Sequence, residues 1–220
     1  MHFAGRMINS PNDYDVVIKL IPTKNDNFFV CMRLCSIQDN RFAYRKNVLP
    51  TSMHPSQAAL IVSLAKPYLK ETAQIMDPFC GVGTLLIERA HLVPAREIYA
   101  TDTYGDAITM GRENAAFAKT RINFIHRDFF DFRHDYKFDE LITDMPVRNR
   151  QTKAEMELFY ERFFDKAAEH LVSGGIIVMY SNEIGFVKKQ IRLRVEYRLL
   201  QETCILDKKD FYLFVIRYED

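Results

Sequence analysis

Gln74-Ile75-Met76-Asp77-Pro78-Phe79-Cys80-Gly81-Val82-Gly83-Thr84-Leu85-Leu86-Ile87-Glu88 is the stretch on which the fold turns. A short apolar run closes on an acid, two glycines make a tight turn, and a helical period opens at Thr84, so the unit reads strand, turn, helix. Three later runs close the same way, at Asp102, Asp128 and Asp144, spaced 16 to 26 residues from one acid to the next. Runs of this length alternating with helical patterns predict parallel strands of one sheet. Ligands of open α/β sheets bind beyond the carboxyl ends of the strands, where the four carboxylates would converge. Such a rim suits a ligand rich in hydroxyl and amino donors and repels a polyphosphate.

The turn itself narrows the ligand. A dinucleotide fingerprint places a third glycine where Leu86 stands, and a phosphate loop needs a Gly-Lys-Ser/Thr that is absent. Asp102 can accept from both hydroxyls of a ribose, and Asp128 from an exocyclic amine with Phe129 against the ring.

Outward from this centre, a helix starts near Pro55, with Ala58, Ile61, Val62, Ala65, Tyr68 and Leu69 as its apolar stripe. Downstream, strands are expected over Glu97–Thr101, Ile122–His126 and Asp139–Thr143, with a helix over Gly105–Ala118. A long helix over Ala154–Leu171 carries the inward stripe Met156, Phe159, Tyr160, Phe163, Phe164, Ala167 and Leu171, and Gly174-Gly175 ends it before a strand at Ile176. A short helix near Ile184–Ile191 and a closing hairpin, Val195–Leu206 with Phe211–Tyr218, add an antiparallel strand. Upstream, residues 1–10 carry no pattern, and Tyr14–Ile21 with Phe28–Cys35 reads as a hairpin around Pro22–Asn27. The fold class is therefore α/β: a Rossmann-like sheet of seven strands, the last antiparallel, with helices on both faces. An N-terminal hairpin extension and linker over 1–50 precedes the main domain at 51–220.

Composition sets outer bounds. With 220 residues, 48% hydrophobic and 27% charged, the chain is a globular protein of ordinary make-up, and no run is long enough for a membrane span. The opening Met1–Arg6 lacks a signal-peptide core, which favours the cytoplasm. Net charge is +1, so charge alone does not call for nucleic acid, although basic residues cluster at 41–46, 121–137, 148–153 and 188–198. Cys31 and Cys35 have the spacing of a metal pair but no second pair; they share a strand face, and no metal is expected. His126 and His134 read as hydrogen-bonded surface residues rather than catalytic bases.

The run Asp77-Pro-Phe-Cys-Gly-x-Gly-Thr84-x-x-Ile-Glu88, preceded by Thr51-Ser-Met-His-Pro-Ser-Gln57, resembles class I S-adenosylmethionine-dependent methyltransferases, and within them the RNA guanine-N2 methylase domains attached to THUMP modules. The resemblance covers about residues 40–182. It implies S-adenosylmethionine as cofactor, with Asp77, Phe79, Gly81, Gly83 and Thr84 around the methionine part, Asp102 on the ribose, and Asp128 and Phe129 at the adenine. It also implies methyl transfer to an exocyclic guanine amine in structured RNA, tRNA foremost, gripped by Asp144, the Met145 carbonyl and Pro146. A protein partner or a second copy of the chain is a further candidate. The family's motif at this point is Asn/Asp-Pro-Pro-aromatic; here it is Asp144-Met145-Pro146-Val147, and Val147 replaces the ring that would stack on the base. That departure, with only some 50 residues upstream where relatives carry an RNA-binding module, motivates two alternatives: a weakly catalytic cofactor-binding scaffold, or a methylase of a non-RNA amine.

Overall fold

The computed structural model describes residues 10, 14, 16–34, 40–206 and 210–220. The patternless opening through residue 9, Cys35 and part of the 207–210 connection lie outside the described residues. The chain divides into two units, 1–42 and 43–220.

In the first unit, β1 (Val16–Pro22) pairs antiparallel with β2 (Phe28–Leu34) over seven residues, from Val16 opposite Leu34 to Pro22 opposite Phe28. Asp26, at φ 55°, takes the left-handed conformation that the connecting turn needs, and the Thr23 amide closes it on the Asn27 carbonyl at 2.8 Å. The apolar side chains Leu20, Phe29, Val30 and Met32 are exposed, and so is Cys31.

The second unit begins with α1 (Pro55–Ala65), whose Pro55 occupies the first turn, where its missing amide costs nothing. Its buried stripe is Ala58, Ile61, Val62 and Ala65; Pro67 stops the helix, so Tyr68 and Leu69 are only half-buried. Then follow β3 (Gln74–Asp77), α2 (Thr84–Leu92), β4 (Glu97–Asp102), α3 (Gly105–Phe117), β5 (Asn123–His126), β6 (Phe138–Asp144), α4 (Lys153–His170), β7 (Leu171–Ser181), α5 (Ile184–Leu193), β8 (Tyr197–Leu206) and β9 (Phe211–Tyr218). The sheet order is β5-β4-β3-β6-β7-β9-β8, with β9 running antiparallel between β7 and β8. Strand order reverses between β3 and β6, and that switch point is where a doubly wound sheet opens a crevice.

Alternation along the strands makes two cores. Met76, Leu141, Ile177, Met179, Phe214 and Ile216 belong to one cluster with Tyr160, Phe163, Phe164 and Ala167 of α4 and Val187 of α5. The intervening Ile75, Ile142, Val178 and Val215 are equally buried and face the opposite side of the sheet. Arg89 of α2 is fully buried; its guanidinium meets Glu140 of β6 at 2.8 Å and donates to the carbonyls of Val93 and Lys70. Each of the three nitrogens of that buried charge thus donates to an oxygen, the condition under which burial is tolerated.

Two expectations change. Gly174-Gly175 does not end α4, which stops at His170 and passes straight into β7. Phe138 faces Leu171 but Glu140 faces Ile176, so the intervening residues of β7 form a bulge. Gly174 adopts φ 77°, and a Cβ on Gly175 would meet the Val172 carbonyl oxygen at 2.8 Å, so the bulge is what requires both glycines. The inward stripe of α4 also loses two members: Phe159 is only half-buried, and Leu171, though buried, opens β7.

Candidate active site

Asp77 and Asp144 end β3 and β6 on either side of the switch point, and a cleft of about 460 Å³ lies over them. The cleft is lined by Asp77, Phe79, Gly81, Thr84 and Asp102 on one side and by Asp144, Met145 and Pro146 on the other. Eight of the eleven residues expected at the site therefore meet in one space.

The turn is held by its own acids. Asp77 Oδ1 accepts the Phe79 amide at 3.0 Å, and Asp102 accepts the Gly81 amide through Oδ2 at 2.8 Å and the Tyr104 amide through Oδ1 at 2.9 Å. A carboxylate has about four acceptor sites, so Asp102 keeps two for a ligand. Gly81 adopts φ 51°, and no atom lies within 4 Å of where its Cβ would stand; a side chain there would fill the cleft. Thr84 Oγ1 is buried without a hydrogen-bond partner, so a donor or acceptor entering the cleft would satisfy it.

Burial is the main force on Asp77 and Asp144. It pushes the Asp77 carboxyl up to about 8, with the charges of Asp144 and Asp102 adding to it and the Phe79 amide opposing it. Burial likewise pushes Asp144 up to about 7. Two carboxyls poised to ionise when a cation arrives suit a positively charged ligand and disfavour an anion.

Asp144 is aimed by its neighbours. It stands opposite Tyr180 in the β6–β7 register, and the Met145 amide donates to the Tyr180 carbonyl at 2.9 Å. The Tyr180 hydroxyl accepts from Gln57 Nε2 of α1 at 2.6 Å, tying the end of β7 to the helix.

The other three expected residues are absent from the cleft lining, and each has a task in the fold. Gly83 does not line the cleft; at φ 78° it makes room for Phe124, whose Cζ would lie 2.8 Å from a Cβ there. Asp128 stands two residues beyond β5, and its Oδ1 caps the 3-10 turn Phe129–Asp131 by accepting the Phe130 amide at 2.9 Å. Phe129 corrects the expectation most: its ring is fully buried against Phe163 and His170, so it cannot lie on a ligand. Phe130, one residue on, is the half-buried ring.

The cleft also takes wall residues that carried no expected role in the site: Leu49, Thr51, Ser52, Met53 and Asn149. The segment before α1 is fastened by Asn114, whose Oδ1 accepts the amides of Lys46 at 3.0 Å and Asn47 at 2.9 Å while its Nδ2 donates to the Asn47 carbonyl. The Tyr44 hydroxyl donates to Glu88 at 2.6 Å, and Arg45 reaches the Met53 carbonyl at 3.0 Å. The sequence signal that pointed there was the stretch Thr51-Ser-Met-His-Pro-Ser-Gln57, whose first three residues stand in this wall.

Among the described residues no group of three or more His, Cys, Asp or Glu is placed to hold a metal ion, and no helix is long and apolar enough to cross a membrane. His126 bonds the Thr103 carbonyl through Nε2 at 2.9 Å on the surface.

Comparison with known proteins matches residues 43–203 to the family model described as RMKL-like, methyltransferase domain. The chain is 32% identical over 187 residues to the tRNA (guanine(10)-N2)-dimethyltransferase of Methanothermobacter thermautotrophicus, covering 80% of this chain and 54% of that protein. It is 25% identical over 155 residues to the release factor glutamine methyltransferase of Lactococcus lactis, covering 62% of this chain and 56% of that protein. Among solved structures, TrmN from Thermus thermophilus superposes with a TM-score of 0.70 at 20% identity, over 88% of this chain and 57% of that one. The chain thus spans about half the length of the curated relatives it matches.

Proposed function

The chain belongs to the RMKL-like methyltransferase domain family, and from that premise we propose that it binds S-adenosylmethionine and methylates the exocyclic N2 amine of a guanosine in tRNA or other structured RNA. The observation that carries this reading is the convergence of the Asp77–Thr84 turn, Asp102 and Asp144-Met145-Pro146 on one cleft at the switch point. The relative that acts on a tRNA guanine N2 supports the choice of substrate.

S-adenosylmethionine supplies a methyl group on a sulfonium cation. Asp77 and Thr84 would hold its methionine part beside the Gly81 backbone, and Asp102 would accept from the ribose hydroxyls with its two remaining acceptor sites. The open space at Gly81, the orphaned Thr84 hydroxyl and the raised Asp77 carboxyl fit that ligand. Asp128 keeps its second carboxylate oxygen for an adenine amine.

Asp144 and the main-chain carbonyl of Met145 accept the two N–H groups of the guanine amine. This grip turns the nitrogen lone pair toward the methyl and holds the two reactants at attack distance, a contribution of positioning and electrostatics. Pro146 restricts the backbone that carries the second acceptor. Bound S-adenosylmethionine would supply the methyl and leave as the neutral thioether, while Asp144 and the Met145 carbonyl hold the amine and its surplus proton would pass to water.

Transfer of tritium from labelled cofactor to bulk tRNA tests the reading, followed by nuclease digestion and mass spectrometry of the nucleosides. Label in N2-methylguanosine that disappears with Asp144→Ala is the expected result. Label in protein or small molecules, or none in any RNA, overturns it.

A further inference from the structure

Beside the catalytic cleft lies a second, smaller pocket of about 280 Å³, lined by Pro146, Val147, Gln151, Leu158, Phe159 and Arg162. We propose that this pocket, resting on the reading above, holds the nucleobase next to the methylated guanosine. It would thereby read the flanking sequence of the RNA.

Several features specify a base as occupant. The pocket adjoins the catalytic cleft, because Pro146 and Val147 line both. A nucleotide adjoining the target thus reaches it without leaving the chain path. Its floor is apolar and open: Leu158 is 55% and Val147 52% exposed, and Phe159 is the one aromatic of the α4 stripe that packing leaves half-exposed. An apolar floor with aromatic character takes any base face. The short side chain of Val147 leaves this floor accessible where a ring would cover it.

The pocket's rim is polar in the way a base edge needs. Arg162 stacks its guanidinium on the Phe130 ring at 4.1 Å, which fixes a flat donor face beside the floor. Gln151 uses its Oε1 to accept the Asn149 amide at 3.0 Å, which leaves its NH2 group to donate. Glu155 is the acid at the edge, and the capping box commits it: its carboxylate accepts from the Thr152 amide and hydroxyl at the start of α4. Flanking Gln151 in the chain, Arg150 and Lys153 are exposed and add positive charge that complements a phosphodiester, whereas Arg148 is paired with Glu183 at 3.7 Å.

Leu158→Glu and Arg162→Ala test this, with bulk tRNA as the probe. Neither residue belongs to the catalytic cleft. The tRNA concentration for half-maximal methyl transfer should rise about tenfold in each, the loss of one stacked base. Transfer at saturating tRNA, melting temperature and affinity for S-adenosylhomocysteine should stay unchanged. Ultraviolet crosslinking of tRNA to the wild-type chain should place a nucleotide on the peptide 151–162. Half-saturation within twofold of wild type in both variants, or crosslinks confined to other peptides while tRNA is methylated, overturns the second pocket alone. Absence of methyl transfer to tRNA by the wild type overturns the underlying reading with it.

Discussion

Asp102, at the end of β4, accepts the amide of Gly81 at 2.8 Å, so the acid expected to bind a ribose also closes the turn expected to cradle the methionine. Removing it should act twice. Asp102→Ala loses charge-assisted hydrogen bonds worth about 1.5–3 kcal/mol. Calorimetry with S-adenosylhomocysteine should therefore show affinity lower by about 10- to 100-fold. Asp102→Asn keeps one oxygen to accept the Gly81 amide and should fall in between. An Asp102→Ala protein that binds like wild type would remove Asp102 from the site.

The two glycines of the turn should separate under substitution. Gly83→Ala would drive a Cβ to 2.8 Å from Phe124 at φ 78°. Overpacking and strain should cost about 1–3 kcal/mol of stability. Gly81→Ala meets no neighbour and carries only the left-handed cost of about 1–2 kcal/mol. Its methyl enters the cleft instead. Thermal melts should rank Gly83→Ala as the less stable, and cofactor titrations should rank Gly81→Ala as the weaker binder.

Much of this site was legible because strand ends are set by local pattern. Asp77, Asp102 and Asp144 each close an apolar run and end a strand, Asp77 and Asp144 on either side of the switch point and Asp102 on the neighbouring β4. Phe129 was misplaced for a local reason of another kind. In Phe129-Phe130 one ring turns into the core and the other outward, and the phase is set by a 3-10 turn that Asp128 caps. Neither periodicity nor residue type decides which ring points where. Gly174-Gly175 could be read as a helix end because a bulge and a C-cap call for the same residue. Thr51-Ser52-Met53 stood out as part of a motif, but its place in the wall did not, because the anchor of that segment, Asn114, lies 67 residues away from Asn47 in sequence.

That anchor carries its own prediction. Asn114→Ala would leave the Lys46 and Asn47 amides without their acceptor, at about 1–3 kcal/mol for each group that stays buried. The segment leading to Thr51 and Met53 should loosen. Amide exchange over 45–53 should quicken, and affinity for S-adenosylhomocysteine should fall several-fold well below the melting temperature. Asn114→Asp retains the acceptor for both amides but sets its other oxygen against the Asn47 carbonyl, and should recover only part of the protection. Unchanged exchange in the alanine variant would show that the segment holds itself in place.

Asp144 should set opposing demands on stability and activity. Burial raises its folded carboxyl to about 7, above the ordinary unfolded value near 4, so the neutral form is the one the fold prefers. Its stabilising contribution is complete below the unfolded value and is lost as pH rises through about 7. A shift of that size has a ceiling of about 4 kcal/mol, and the opening toward the cleft reduces it to about 1–3 kcal/mol. The ligand-free protein should thus melt lower at pH 8 than at pH 5, and Asp144→Asn should lessen that drop. Catalysis needs the opposite state, because only the carboxylate is a full acceptor for the amine. Methyl transfer should rise with pH along a limb at or below 7, since a bound sulfonium favours ionisation. Asp144→Asn should lose that limb together with about 100-fold or more of the rate, the scale on which a single aimed electrostatic group acts. A variant that keeps the wild-type pH limb would assign it to another group, with Asp77 and its higher value of about 8 the next to test.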